Sequence, residues 1–228
     1  AQMGEAIIRA AVEKELGGRV PKPESRAGDV FAYQPPAWLS FTDPMLQQVL
    51  RDVCDANFVV KADGAVQLPQ AMKRVVKFDG GAYRMGIGGL HSSEKRQHVS
   101  ATEDTFLIDR DVASYYPNLI IQCGMSPEAT GGHFQGVYRG IVARRMDAKR
   151  DKARANEAQG LKIAANGTFG KLGSRYSFLY SPELLIQVTV TGQLALLMLI
   201  ERITAAGARV VSANTDGVVF KCPVGRLD

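Results

Sequence analysis

The chain has 228 residues, of which 46% are hydrophobic and 22% are charged. This balance is typical of a globular protein and excludes disordered and collagen-like classes, and the length holds one large domain or two small ones. The longest uninterrupted apolar run, 194–200, is shorter than the roughly 18 residues that cross a bilayer, so no membrane span is expected. The N-terminus lacks a secretory signal, which favours a cytoplasmic location. Cys54, Cys123 and Cys222 form no C-x-x-C pair, which predicts buried thiols and no zinc or redox site.

Positive charge is concentrated in one region. The whole chain carries 28 Lys and Arg against 23 Asp and Glu residues, for a net charge of +5. Residues 138–176 alone hold ten basic and three acidic residues, which leaves the remainder of the chain slightly negative. Such a block is either a solvated helix face or a surface that binds phosphates.

The predicted elements of the first half are two helices and two short strands. Residues 3–16 have a helical composition that Gly17 and Gly18 end, and 43–55 predicts a second helix. Prolines between 21 and 36 predict a loop that ends near Trp38. Strands are expected at 57–61 and 75–78, and a cluster of glycines comes after them.

The second half is more clearly divided by its turn residues. A strand at 105–108 leads into acidic residues, and Pro117 restricts the conformation of the chain beyond it. Helices at 140–158 and 161–169, separated by Gln159 and Gly160, predict a helical hairpin. A long apolar helix is expected at 183–204. Strands at 209–212 and 218–222 are joined by 214–217, which predicts a β-hairpin with Asp216 at its tip.

Two aspartates are candidates for metal binding. Asp111 and Asp216 each come after a β-rich run, so a sheet that pairs the two runs would bring both carboxylates to one edge. Mg²⁺ prefers hard oxygen ligands, and two ions roughly 3.5 to 4 Å apart support in-line nucleotidyl transfer. The alternative is that both aspartates cap turns, because Asp is a preferred turn residue.

The helix predicted from 161 has a polar face of mixed chemistry. Lys162, Asn166 and Phe169 have i, i+4, i+7 spacing, so they share one face of a helix. A lysine can neutralise a polyphosphate, and an aromatic ring can stack on a base. Residues 145, 149 and 152 predict a second cationic stripe at the same spacing on the preceding helix. The alternative for each stripe is a solvated surface with Phe169 in the core.

Three segments in this order resemble the motifs of family B DNA polymerases. Residues 111–117, DVASYYP, resemble the first palm motif D-x-x-S-L-Y-P. Residues 162–170, KIAANGTFG, resemble the fingers motif K-x-x-x-N-S-x-Y-G, with Gly for Ser and Phe for Tyr. Residues 214–216, NTD, resemble the second palm motif D-T-D, with Asn214 in place of its first acidic residue. The motifs span residues 111–216.

The resemblance implies an α+β fold, namely a polymerase palm with an antiparallel sheet backed by helices and a short helical fingers hairpin. It implies an enzyme, a DNA-directed DNA polymerase that adds deoxynucleotides to a primer 3′-hydroxyl on a DNA template by two-metal nucleotidyl transfer. Asp111 and Asp216, together with the carbonyl of Val112, would hold two Mg²⁺ ions, for which Mn²⁺ can substitute. The implied partners are primer-template DNA and deoxynucleoside triphosphates.

The resemblance also implies roles for the residues around the carboxylates. Tyr116 would lie against the deoxyribose and exclude a 2′-hydroxyl, while Asn166 and Phe169 would flank the nascent base pair. The other implied nucleotide-binding residues are Ser114, Tyr115, Arg145, Lys149 and Lys162. DNA contacts are expected at Thr215 and Lys171, and at Gly88 and Gly89, which resemble the Y-x-G-G/A template-binding element without its tyrosine.

On this resemblance the chain is divided into an N-terminal accessory region at 1–81, palm segments at 82–137 and 174–228, and fingers at 138–173. The 12 residues after Asp216 are too few for a thumb, and no exonuclease carboxylate motif is found. We therefore expect a portion of a longer phage or mobile-element polymerase, acting in the cytoplasm of a bacterial host with its thumb and exonuclease parts elsewhere. Asn214 and the missing thumb leave a non-catalytic nucleic-acid-binding remnant as one alternative. A second alternative is another metal-dependent nucleotidyl transferase, such as a primase or reverse transcriptase, which ribonucleotide use or copying of an RNA template would favour.

Overall fold

A computed structural model describes residues 2–226 as a mixed α+β protein. Its α-helices are α1 (Gln2–Leu16), α2 (Pro44–Cys54), α3 (Tyr115–Cys123), α4 (His133–Ala148), α5 (Ala155–Lys171) and α6 (Pro182–Ala205). Its strands are β1 (Val30–Ala32), β2 (Asn57–Val60), β3 (Val66–Gln67), β4 (Val75–Phe78), β5 (Gly81–Arg84), β6 (His91–Ser92), β7 (Thr105–Asp111), β8 (Arg209–Asn214) and β9 (Gly217–Pro223). Short 3₁₀ turns lie at Gln70–Met72, Glu128–Thr130, Lys152–Arg154 and Val224–Arg226.

The chain divides into two compact units, each built from separate segments of the sequence. The first unit contains Ala1–Phe31, Val59–Gln67 and Ser114–Val188, and the second contains Ala32–Phe58, Leu68–Ala113 and Thr189–Asp228. The division into accessory, palm and fingers segments by sequence stays a prediction.

The first unit is a helical unit in which α1, α4 and α5 pack on one another. Apolar side chains from these helices and from α3 form one buried cluster around Phe134 and Tyr138. The Tyr138 hydroxyl donates a hydrogen bond of 2.9 Å to the carbonyl of Ala165, which joins α4 to α5. Burial raises the pKa of Tyr138 far above its usual value, so this phenol is neutral at any physiological pH.

A close helix contact in this unit depends on a glycine. A Cβ built on Gly4 of α1 would lie 2.6 Å from the Cα of Ala164 on α5. That atom is backbone, which cannot move aside without shifting the whole helix. The backbones of α1 and α5 therefore approach more closely than any larger residue at position 4 allows.

The second unit contains an antiparallel sheet of six strands in the order β4-β5-β6-β8-β9-β7. The β7 and β9 strands pair along their full length, from Thr105 opposite Pro223 to Asp111 opposite Gly217. A bulge at Val211 interrupts the pairing of β8 with β9, after which Asn214 lies opposite Gly217. The strands and the β-hairpin predicted for the second half of the sequence are confirmed. A smaller sheet has the strand order β1-β2-β3.

The helix α2 begins and ends where its sequence predicts. The Asp43 side chain accepts hydrogen bonds from the amides of Met45 and Leu46, which satisfies two amides that have no partner within the helix. The buried carboxylate of Glu201 on α6 accepts from the amides of Thr42 and Asp43. The start of α2 is thereby attached to the part of α6 that belongs to the second unit.

The predicted boundaries of the helical hairpin are wrong. The break lies at 149–154 and not at Gln159 and Gly160, so α4 begins earlier and α5 includes both of those residues. The reason is local: the Asp151 side chain accepts from the amide of Ala153 and starts a new turn, whereas Gly160 is exposed and adds only a modest helix penalty.

The helix α3 is not predicted by the sequence pattern, because proline commonly marks a break in a helix. Proline is nevertheless tolerated in the first turn, where its missing N–H has no partner to lose. Tyr115 and Tyr116 precede it, so Pro117 falls within that first turn.

The helix α6 is long and apolar enough, by length and composition alone, to cross a membrane. Its best window has a mean hydropathy of 1.8, and 67% of that window is buried inside the protein, as in a core helix. A count of uninterrupted apolar runs overlooks this helix because polar residues such as Thr189, Thr191 and Gln193 interrupt the run.

The three thiols are free, and they are less uniformly buried than predicted. Cys222 is buried, whereas Cys54 and Cys123 are half-buried. Burial raises the pKa of Cys123 to about 11, which keeps this thiol protonated and unreactive at neutral pH.

Substitution of two helical glycines by alanine is expected to have opposite effects. Gly4→Ala forces α1 away from the backbone of α5 and should lower the free energy of unfolding by about 1–3 kcal/mol. Gly160→Ala enters open space on α5 and should raise it by about 0.5–1 kcal/mol. Urea denaturation followed by circular dichroism measures both changes, and equal effects from the two substitutions would contradict the close approach at Gly4.

Candidate functional site

The sheet of the second unit brings Asp111 and Asp216 to the same edge, where β7 ends and β9 begins. Asp111 is the last residue of β7 and lies opposite Gly217, the first residue of β9. The amide of Val112 donates a hydrogen bond of 2.8 Å to the carbonyl of Asp216. A backbone hydrogen bond therefore joins Asp216 to the residue after Asp111, although the two aspartates are far apart in the sequence.

The Asp111 carboxylate lies over Gly217, in space that a side chain would occupy. A Cβ built on Gly217 would collide with Oδ1 of Asp111, and its next neighbours, at 3.3 and 3.5 Å, are Cγ of Asp111 and the carbonyl of Arg110. The absence of a side chain at position 217 therefore gives the carboxylate its place at the edge. The sequence pattern alone identifies Gly217 only as a turn residue.

In the described part of the chain, neither the Asp111 nor the Asp216 carboxylate forms an ion pair. Within residues 2–226, no Lys, Arg or His nitrogen lies at ion-pair distance from Asp111 or Asp216. The same residues contain no group of three or more His, Cys, Asp or Glu side chains that could hold a metal alone. Two carboxylates without a cation partner, on neighbouring backbone positions at one sheet edge, could hold Mg²⁺, which is usually bound by one or two carboxylates together with substrate phosphates.

The turn that carries Asp216 has a strained backbone. Thr215 has φ of 56°, a left-handed conformation that is rare for a β-branched residue. Its amide donates a hydrogen bond of 2.8 Å to the carbonyl of Leu90, and its hydroxyl donates to Oδ1 of Asn214 at 3.0 Å. These two bonds hold Thr215 in its unfavourable conformation, and they give Asn214 a role within the turn.

The segment before Leu90 is attached to α6 by a buried side chain. The Gln193 amide group donates to the carbonyl of Gly86 at 2.8 Å and accepts from its amide at 2.7 Å. The predicted DNA contacts Gly88 and Gly89 lie between this attachment and Leu90. Sequence reasoning missed Gln193, because a polar residue in an apolar helix gives no indication of its partner.

The first unit holds a buried guanidinium at the start of α3. Arg145 of α4 is only 9% exposed and donates a hydrogen bond to the Ser114 hydroxyl. Ser114 is the N-cap residue of α3, in a left-handed conformation with φ of 53°, and its side chain does not cap the helix. Because Ser114 is the N-cap residue, the Arg145 charge lies close to the positive end of the α3 dipole. Among the described residues Arg145 has no carboxylate at ion-pair distance.

Aromatic rings stack beside this helix. The Tyr116 and Phe169 rings have centroids 4.2 Å apart and planes 10° apart, and the Tyr115 ring centroid lies 5.7 Å from that of Tyr116. One face of Phe169 is thus covered by Tyr116, where the motif resemblance implies a contact with a base pair. Asn166 and Lys162, about one and two turns earlier on α5, are exposed.

The predicted cationic stripe on α4 does not form as one helix face. Lys149 is the C-cap residue of α4, and Lys152 lies in the next 3₁₀ turn, because the helix ends before both of them. Lys149 is exposed and Arg145 is buried, so the two cations have different surroundings.

Ion pairs within the first unit use part of the basic block. Glu157 pairs with Arg154 and Arg144, and hydrogen bonds from these arginines lower the pKa of Glu157 to about 2. Lys171, a predicted DNA contact, lies 3.0 Å from the carboxylate of Glu5. Burial raises the pKa of Glu5, but hydrogen bonds from Ser177 and Lys171 outweigh it and give a lowered value. The Lys171 charge is therefore partly neutralised.

Sequence-predicted residues thus meet within each unit. In the second unit, Asp111, Val112, Thr215 and Asp216 share one sheet edge. In the first unit, two contacts join predicted residues from different elements, namely Arg145 with Ser114 and Tyr116 with Phe169. Lys149, Lys162 and Asn166 are exposed positions on or after the same helices.

Comparison with known proteins gives a partial match. No protein-family model and no curated protein matches the chain. Among solved structures, it is similar to the family B DNA polymerase from the hyperthermophilic archaeon Pyrobaculum calidifontis, with 19% sequence identity and a TM-score of 0.41. The match covers 59% of this chain and 24% of that chain, so the chain spans about a quarter of the polymerase that it resembles.

Proposed function

We propose that this chain is the catalytic core of a DNA-directed DNA polymerase that adds deoxynucleotides to a primer 3′-hydroxyl. The observation that carries the proposal is the bonding of Val112 to Asp216. It joins the ends of two motifs, each containing an aspartate that the family uses for catalysis. The three motif resemblances support the same function in sequence order.

Asp111 and Asp216 are the proposed ligands of two Mg²⁺ ions, with the Val112 carbonyl completing the set. The uncompensated charge of the two carboxylates favours a divalent cation, and phosphate oxygens of the substrate supply the remaining ligands. Bound metal ions would stabilise the attacking and leaving oxygens of an in-line displacement, and Mn²⁺ can replace Mg²⁺ in this role. The protein's contribution is to hold both carboxylates at one edge before substrate arrives.

The triphosphate of the incoming nucleotide is proposed to bind the cations of the first unit. Arg145 is held by Ser114 beside the start of α3, where the helix dipole favours an anion. A buried guanidinium without a carboxylate partner gains more from a phosphate than an exposed one, because less water screens the charge. The exposed Lys149 and Lys162 add charge that binding can order.

Tyr116 is proposed to select the sugar. Its ring is stacked on Phe169, which restricts its motion and leaves a rigid edge where a 2′-hydroxyl would be excluded. Asn166 is proposed to lie beside the nascent base pair. Tyr115, next to Tyr116, is proposed to contact the bound nucleotide.

The polymer partner is proposed to be primer-template DNA, contacted by the Gly88–Gly89 segment, Thr215 and Lys171. Glycines allow a nucleic-acid backbone to approach closely, and binding by the basic block should weaken as salt rises. We further propose a phage or mobile-element origin and a longer polymerase that supplies thumb and exonuclease parts.

A non-catalytic nucleic-acid-binding remnant is the second candidate. It is favoured by Asn214, which replaces an acidic residue of the motif and accepts a hydrogen bond from Thr215 within the turn. Such a protein would bind DNA without extending a primer.

Primer extension tests the main proposal. The chain, incubated with a primer-template duplex, Mg²⁺ and deoxynucleotides, should extend the primer, and Asp111→Asn or Asp216→Asn should reduce the rate by about a hundredfold or more with an unchanged fold. Gel analysis of products and circular dichroism measure the two effects. Retained turnover in either variant would overturn the metal assignment, and DNA binding without extension by the parent would favour the remnant.

Gly217→Ala tests the position of the Asp111 carboxylate without removing it. The new methyl group displaces a flexible carboxylate, so the strand should persist while Mn²⁺ affinity, measured by calorimetry, falls about tenfold. Gly225→Ala is the matched control, because a Cβ at position 225 meets nothing within 4 Å. Equal Mn²⁺ affinity in the two variants would show that Asp111 does not hold the metal.

Tyr116→Ala should relax sugar selection. With the ring removed, the ratio of deoxynucleotide to ribonucleotide incorporation, measured as relative kcat/KM, should fall about tenfold or more. Tyr116→Phe retains the stack on Phe169 and should keep the parent ratio. An unchanged ratio in Tyr116→Ala would remove this residue from sugar selection.

A further inference from the structure

A second surface of the first unit combines a cavity, cations and an exposed aromatic ring. The cavity has a volume of about 310 Å³ and lies between the 22–27 segment, the turn at Gly64 and the residues after α5. We propose that it binds single-stranded DNA, with one base stacked on Tyr176 and the strand's phosphates on Lys22 and Arg175. The choice of DNA as the nucleic acid rests on the proposed function.

Tyr176 is an exposed ring in a defined position. Its side chain is 82% exposed, although a tyrosine ring gains by burial. The Arg175 guanidinium carbon lies 5.0 Å from the ring centroid, and one guanidinium nitrogen donates to the Tyr176 hydroxyl at 2.9 Å. The other terminal nitrogen donates to the carbonyl of Ala62 at 3.1 Å, so the ring is held through Arg175 to the backbone.

The floor of the cavity is rigid because a glycine turn and a buried tyrosine meet there. The Tyr180 hydroxyl donates to the carbonyl of Gly64 at 2.8 Å. Gly64 has φ of 85°, and a Cβ at this position would lie 3.0 Å from Cβ of Arg175. Only glycine provides both the left-handed turn and the close approach of the Arg175 side chain. Because the surface is ordered before binding, a ligand loses less conformational entropy there.

The charge of the cavity favours phosphate. Its lining includes the cations of Lys22, Arg26 and Arg175 and the carboxylate of Glu24. Arg26 is paired with Asp29, whereas Lys22 and Arg175 have no carboxylate at ion-pair distance in the described part of the chain. Two cations beside a stacking platform are the elements that single-strand-binding surfaces combine.

The geometry favours a single strand over a duplex. The bases of a duplex are stacked within the helix and cannot reach an exposed ring, whereas an unpaired base can stack on Tyr176 while its phosphates contact the cations. No residue of this surface belongs to the three motif segments, so it would hold unpaired strand outside the candidate catalytic residues.

Fluorescence anisotropy with a labelled dT12 oligonucleotide, without metal or nucleotide, tests the proposal on the full chain. Tyr176→Ala should weaken binding about tenfold, and Tyr176→Trp should restore it because a larger ring still stacks. Arg175→Ala should also weaken binding, since it removes a cation and releases the ring. Trp38→Ala and Arg202→Ala remove the same kinds of side chain from exposed positions in the second unit and should bind as the parent does.

An abasic oligonucleotide of equal length separates stacking from charge. The parent and Tyr176→Ala should bind the abasic oligonucleotide with equal affinity, because it has no base to stack. Arg175→Ala should bind it more weakly, because a cation is lost. Equal affinity of the parent and Tyr176→Ala for dT12 would overturn the proposal. A second contrary outcome is that the parent binds a 12-base-pair duplex more tightly than dT12, and that Tyr176→Ala weakens duplex binding as much as it weakens binding of dT12.

The outcome is separable from that of the proposed function. Failure of primer extension with a retained Tyr176 effect would reject the polymerase and keep this surface. Extension without a Tyr176 effect would reject this surface and keep the polymerase.

Discussion

The candidate chemistry of the second unit depends on the register of β7 against β9. Side chains alternate across a strand, so a slip of one residue would move the Asp111 carboxylate to the opposite face of the sheet. Seven consecutive pairs set this register, and the Val112 amide extends it to Asp216. The bulge at Val211 shifts β8 by one residue, which allows Asn214 to close a two-residue turn. One correctly paired ladder is therefore enough to bring two aspartates from distant segments to the same sheet edge.

The sequence predicts an element correctly where one nearby residue determines its boundary. It does not where two nearby residues could each end or begin a helix. Asp43 marks the start of α2 because a capping carboxylate acts within one turn. The predicted hairpin break is misplaced because Gly160 gives a stronger sequence signal than Asp151, yet an exposed glycine adds only a small penalty inside a long helix. A proline such as Pro117 is compatible with the first turn of a helix but disrupts the interior of one, and the sequence pattern alone does not distinguish these two positions.

The same limit applies to the candidate site. The motifs identified the backbone positions at the sheet edge and on α5, since residue type and spacing carry that information. They could not show that Arg145 is buried, that Lys171 is paired with Glu5, or that Gly217 leaves room for a carboxylate. Each of these properties depends on a residue distant in the sequence, and none changes the local pattern. The exposed Tyr176 was missed for the same reason.

The turn at Thr215 links two parts of the second unit mechanically. A left-handed β-branched residue stores roughly 1–3 kcal/mol of backbone strain, which surrounding bonds must offset. One of those bonds goes to Leu90, at the end of a segment that Gln193 anchors at Gly86. The Gly88–Gly89 segment is therefore coupled to the turn of Asp216 through this hydrogen bond and through the pairing of His91 with Asn214. A displacement of the Gly88–Gly89 segment would therefore shift the backbone of Asp216 as well, while Gln193 of α6 holds the start of that segment at Gly86.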